Sequence, residues 1–116
     1  MSTSTTPKKK FCVYAPDYPN NLARRFEVRE AHLADVKPHI NSGVFRVAGI
    51  VADPDKPTTT IDGQTRPNAQ GSLLIVEADT LEEVKKLIMN DVYWKNGVWD
   101  KEKVVIQPFL PATPFP

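Results

Sequence analysis

The chain has 116 residues, of which 41% are apolar and 25% charged, and its formal net charge is +1. That length fits one domain, able to bury about two-thirds of its unfolded surface. The near-neutral charge removes the bulk electrostatic case for nucleic acid or an anionic membrane, and no run approaches the ~18 apolar residues of a membrane span.

The one basic run, Lys8-Lys9-Lys10, reads as a solvated lead into a strand. A single cysteine, Cys12, excludes an internal disulfide and sits in the apolar run Phe11-Cys12-Val13-Tyr14 as a core thiol would. Residues 1–7 lack the apolar run of a signal peptide, so a cytosolic protein is expected. Residues 1–9 read as a disordered lead, 10–110 as the domain and 111–116 as a Pro-rich tail.

Lys10 to Ala15 is rich in aromatic and β-branched residues and predicts a first strand, ended by the loop Pro16-Asp17-Tyr18-Pro19-Asn20-Asn21. Leu22, Phe26, Leu33, Val36 and Ile40 then recur at helical spacing, with Asn20 or Asn21 as cap and Asn41-Ser42-Gly43 as stop. Pro38 removes a helical hydrogen bond, which predicts a bend or a break near Lys37. Val44 to Val51 predicts a second strand, with Gly49 inside it marking a bulge or a close approach. The stretch 53–70, with Pro54, Pro57, Gly63 and Pro67, reads as a long loop and a candidate lid. Ser72 to Ala78 predicts a third strand. Thr80 and Glu83 form a capping box for a second amphipathic helix carrying Leu81, Val84, Leu87 and Ile88. Gly97 turns the chain before a fourth strand, Val104 to Phe109.

The order strand, helix, strand, strand, helix, strand is the split βαβ, or ferredoxin-like, arrangement: α+β, with four antiparallel strands and two helices on one face. The other face carries apolar residues and needs cover. A second copy of the sheet in a two-fold dimer is the simplest cover.

Arg25, Arg29 and His32 are spaced by four and three, so they share a helix flank. Two guanidiniums and an imidazole suit a carboxylate, phenolate or enolate, with the arginines binding and the histidine moving a proton. The same spacing also describes a solvated charged face paired with Glu27, Glu30 and Asp35. Asp91, just past the second helix, is either a turn former or, if it meets His32 in space, the carboxylate that fixes the imidazole tautomer. His39 reads as half of a surface pair with Asp35. The two histidines lack metal-ligand spacing, so no metal is expected. Tyr14, Tyr93, Trp94 and Trp99 read first as core or interface aromatics, and no phosphate-binding loop or nucleophile elbow occurs.

Val28-Arg29-Glu30-Ala31-His32-Leu33, Val47-Ala48-Gly49, Gly71-Ser72, Leu81-Glu82-Glu83-Val84, Asp91-Val92-Tyr93, Gly97-Val98 and Val105-Ile106-Gln107-Pro108-Phe109 together resemble the YCII-like family, from about Phe11 to Phe109. Glu30 stands where that family usually has proline, and Val92 replaces the proline of its usual Asp-Pro-Tyr. The resemblance implies a ferredoxin-like protomer of a dimeric α/β barrel, with His32 and Asp91 as a proposed catalytic pair. The function expected is a cofactor-independent lyase, isomerase or cyclase acting on a small cyclic or aromatic oxygenated metabolite. Arg29 and Arg25 would bind its anion, and Ser72 and Tyr14 would line its pocket. The alternative is a non-catalytic small-molecule-binding or dimerisation module.

Overall fold

The computed structural model describes residues 8–115. The lead expected over 1–9 therefore lies outside the described residues up to Pro7. The first strand, β1 (Lys9–Pro16), is followed by two helical segments, α1 (Leu22–Glu27) and α2 (Arg29–Ser42). The chain continues through β2 (Phe45–Ala52), β3 (Thr58–Ile61), β4 (Gln64–Pro67) and β5 (Ala69–Ala78). It ends with α3 (Leu81–Met89), α4 (Val92–Lys95) and β6 (Val105–Pro108). This is a mixed α+β fold. Its main sheet has the order β2-β5-β1-β6 with antiparallel pairing throughout, and β3-β4 form a separate hairpin. Among the described residues no helix is long and apolar enough to cross a membrane.

Strand alternation separates the two faces of the sheet. Phe11, Val13 and Ala15 of β1 and Leu74, Val76 and Ala78 of β5 point to the helices. There they pack with Val36 of α2, Val84 and Ile88 of α3, and Tyr93, Val98 and Trp99. A bulge at Arg46 shifts the register of β2, so that Phe45 pairs with Val76 while Val47 pairs with Ile75. The extra residue turns Phe45 into the core and sends Val47 to the other side. That other side carries Cys12, Tyr14, Val47, Leu73, Ile75 and Val105, and Tyr14, Leu73 and Val105 are each at least 40% exposed. At one end of this open face the Phe115 ring lies 5.0 Å from both Lys10 Nζ and the Arg46 guanidinium.

Two local expectations are corrected. The helix does not break near Lys37: α2 runs through Pro38 to Ser42 and stops on Gly43, whose φ is 83°. It breaks at Val28 instead, where φ is −106° and ψ is 8°. The cause is tertiary. Arg24 Nε donates to Asn96 O at 2.9 Å and Arg25 is anchored to Asp17 and Ser72, so α1 is held to neighbouring loops while α2 follows the sheet. The second correction concerns the stretch read as a loop, which contains the β3-β4 hairpin. Asp62 and Gly63 take φ of 49° and 75° at its tip, the paired left-handed geometry of a two-residue primed turn. Arg66 of the hairpin lies over the Phe26 ring at 5.0 Å, and Asn68 ties its base through Pro57 O and Lys56 O.

Gly71 is where the sheet tolerates no side chain. It pairs with Pro16 on one side and Val51 on the other, and a Cβ there would sit 2.7 Å from Ala15 O and 3.0 Å from Pro16 Cα. Gly71→Ala must push backbone against backbone. Urea denaturation should show it less stable than the parent by about 1–3 kcal/mol.

Candidate functional site

The site is built where the α1-α2 bend faces the segment from α4 to Trp99. Asp91 caps α4, and its Oδ1 accepts the Tyr93 N–H at 2.8 Å. The same oxygen lies 2.9 Å from His32 Nδ1, although the two residues are 59 apart in sequence. Asp91 is buried, and the His32 side chain is 15% exposed. A carboxylate oxygen accepts, so Nδ1 carries the hydrogen, and in the neutral ring the lone pair is left on Nε2. The imidazole is fixed a second time by stacking on Tyr93, with ring centroids 3.6 Å apart and planes within 5°.

Arg25 is buried, with a side-chain exposure of 6% against 4% for Asp17. Its Nη1 meets Asp17 Oδ1 at 2.7 Å and Oδ2 at 2.8 Å, and its Nη2 donates to Ser72 Oγ at 2.8 Å. Trp99 Nε1 donates to the same Ser72 oxygen at 3.2 Å. The guanidinium also lies 4.6 Å from the Tyr93 ring centroid. His32 occupies one face of that ring, which leaves the opposite face to Arg25. Burial pushes the Asp17 carboxyl up from its ordinary value, and the Arg25 charge pulls it part of the way back. Burial likewise raises the Tyr93 phenol, against the lowering influence of Arg25 and Arg29.

These groups border a cavity of about 210 Å³ between α2 and the sheet. Arg29, His32, Ser72, Tyr93 and Trp99 supply its polar and aromatic wall, and Leu33, Val36, Ile40, Ile50 and Leu74 its apolar one. A smaller recess of about 50 Å³ shares Arg25, Arg29, Ile50 and Tyr93 with it and is closed by Phe26 and Pro67.

The structure thus brings together His32, Asp91, Arg25, Arg29 and Ser72. Tyr14 is a correction. It alternates with Val13 and Ala15 and lies on the open face of the sheet, opposite the face that borders this cavity, so it does not line it. Arg25 does line the cavity, but its charge is met by Asp17, whereas Arg29 is the guanidinium with no hydrogen bond or ion pair among the described residues. Asp17, Tyr93 and Trp99 are site residues that the sequence reading did not assign. Tyr93 had a local signal, because an N-cap side chain bonds the N–H two or three residues on, and that places the residue two after Asp91 beside the carboxylate. Asp17 had none beyond a loop position.

The model of the YCII-related domain matches residues 9–109. Fusaric acid biosynthesis protein 2 of Gibberella fujikuroi is 31% identical over 104 residues, covering 90% of this chain and 95% of that protein. Aspartate kinase FUB3 of Fusarium oxysporum is 31% identical over 104 residues, which are 90% of this chain but 18% of the kinase. Among solved structures, the 5-chloro-2-hydroxyhydroquinone dehydrochlorinase TftG of Burkholderia phenoliruptrix, in complex with 2,5-dihydroxybenzoquinone, superposes with a TM-score of 0.70 at 28% identity. The superposition covers 87% of this chain and 93% of that one. A match over residues 9–109 places the chain in the YCII-related domain family.

Proposed function

We propose that this protein is a small cofactor-independent lyase, isomerase or cyclase in which His32 moves a proton on a cyclic or aromatic oxygenated metabolite. The observation that carries this reading is the 2.9 Å approach of His32 Nδ1 to the buried Asp91 carboxylate at the edge of a cavity. Asp91 holds the Nδ1–H tautomer, so Nε2 is the base. It takes a proton from a ring C–H or O–H. The released electron pair either expels a leaving anion, and the imidazolium gives its proton to that anion or to solvent, or moves the double bond, and the imidazolium gives its proton to the carbon at the far end of the shifted double bond. Arg29 offers an uncommitted charge to the anion that forms. Size supports a ring substrate: a cavity of about 150 Å³ holds benzene, and this one is about 210 Å³. The dehydrochlorinase named for TftG, with its bound dihydroxybenzoquinone, is chemistry of this kind.

The protomer proposed is ferredoxin-like, on the strength of the β2-β5-β1-β6 order. The exposed Tyr14, Leu73 and Val105 support a dimeric α/β barrel in which a second copy covers the open face. The single free cysteine fits a cytosolic setting.

With 5-chloro-2-hydroxyhydroquinone as test substrate, His32→Asn should lower kcat by about 10²–10⁴-fold while circular dichroism stays that of the parent. Asp91→Asn should also lower kcat, and it should remain folded because asparagine caps α4 about as well as aspartate does. Full turnover by a folded His32→Asn protein ends the proposal. A ligand bound tightly and recovered unchanged moves it to the binding module.

Two further outcomes belong to this reading. The Tyr93 phenol stays protonated beside the substrate, because burial raises it above its ordinary value near 10. Its raised value gives stability that is complete below about pH 10 and lost as pH climbs through the folded-state value. In an alkaline titration at 295 nm, the absorbance removed by Tyr93→Phe should therefore come from the high-pH end. Leu73→Asp on the open face should shift the sedimentation coefficient from dimer to monomer, and an unchanged coefficient removes the dimer.

A further inference from the structure

The Ser72 hydroxyl is in an unusual position in its hydrogen-bonding. Oγ receives Arg25 Nη2–H at 2.8 Å and Trp99 Nε1–H at 3.2 Å. A serine oxygen has two lone pairs and one hydrogen, so both acceptor positions are filled. Its own proton has no acceptor among the described residues. The residue is only 6% exposed, so bulk water does not freely take that proton, and Ser72 lines the cavity that holds His32, Arg29 and Tyr93.

The geometry points to Ser72 as a preorganised hydrogen-bond donor, its O–H directed into the His32 cavity to receive the substrate oxygen on which negative charge develops. This rests on the proton-transfer reading of the same cavity and adds the group that answers the charge His32 creates. When Nε2 removes a proton from a hydroxylated ring, the electron pair is delocalised onto a phenolate, enolate or carbonyl oxygen. A donor already aimed at that oxygen stabilises it without reorganising. The two donors on Ser72 hold the hydroxyl in one rotation and polarise it, one of them carrying a full charge. Arg25 therefore reaches the substrate through Ser72, as a positioning residue. The ligand class follows: a planar ring bearing an acceptor oxygen one hydrogen bond from β5, with its apolar edge toward Leu33 and Ile50.

Two experiments test this, one of which needs no substrate. In a Cys12→Ala background, Ser72→Cys places a thiol under the same two donors. That thiol should titrate below the ordinary value of about 8.5, because the cation and the indole N–H both favour thiolate. Iodoacetamide should alkylate it through the cavity, with a pH–rate profile midpoint at the same lowered value. A thiol titrating at or above 8.5, or one that iodoacetamide does not reach in the folded protein, overturns the proposal. In the second experiment, quenching of tryptophan fluorescence follows binding of 2,5-dihydroxybenzoquinone. Ser72→Ala should bind this probe about five- to tenfold more weakly than the parent, and equal binding by a folded Ser72→Ala protein overturns the proposal. If Ser72→Ala does not fold with Arg25 and Trp99 left unpaired, the thiol titration decides. If the parent chain itself does not bind the quinone, the substrate class under the proposed function fails, and the thiol titration still decides the role of Ser72.

Discussion

The burial of the Arg25 guanidinium is the constraint on which the rest of the site depends. Arginine does not shed its charge in a protein, and moving such an ion out of water costs several kcal/mol unless partners replace the solvent. Here the partners come from three separate places. Asp17 is in the loop after β1, Ser72 is on β5, and the Tyr93 ring is on α4. Satisfying one cation therefore fixes the start of α1 against the sheet and against the α4 turn. The backbone absorbs the consequence at Val28, where the helix bends before α2 sets off along the sheet.

That bend gives the two flanks of the helix different tasks. Arg25, before it, points inward and has its charge met. Arg29 and His32, after it, border the same cavity as Arg25, and no carboxylate meets the Arg29 charge among the described residues. Tyr93 joins the two sets, with the guanidinium on one face and the imidazole on the other. Its main-chain N–H bonds the same Asp91 oxygen that holds His32. The phenol is thus more than a wall of the pocket. It transmits the position of the buried cation to the imidazole, so the orientation of His32 depends on residues that do not touch it.

Much of the fold is legible in the sequence because its signals are local. The apolar, β-branched and aromatic runs of β1 and β5, the Thr80 cap of α3 and the Gly43 stop of α2 each act within a few residues. The misread elements are those where a local signal competes with tertiary contacts or with composition. Pro38 lies in a helix that continues through it to Ser42, and the break falls at a valine with no breaker character. Around Asp62-Gly63, the dipeptide that specifies a primed hairpin turn, prolines at 54, 57 and 67 made the whole stretch resemble a loop.

The site divides the same way. Spacing put Arg25, Arg29 and His32 on one flank but left open whether that flank was solvated, and only a family resemblance joined His32 to Asp91. Spacing could not separate the two arginines, because what distinguishes them is a loop aspartate eight residues before Arg25. Asp17 meets one charge and leaves the other. A helix flank with two identical cations thereby acquires one internal anchor and one group able to meet a substrate. The division of labour at this site is set by where a single carboxylate lies, which is a property of the folded chain that no spacing rule contains.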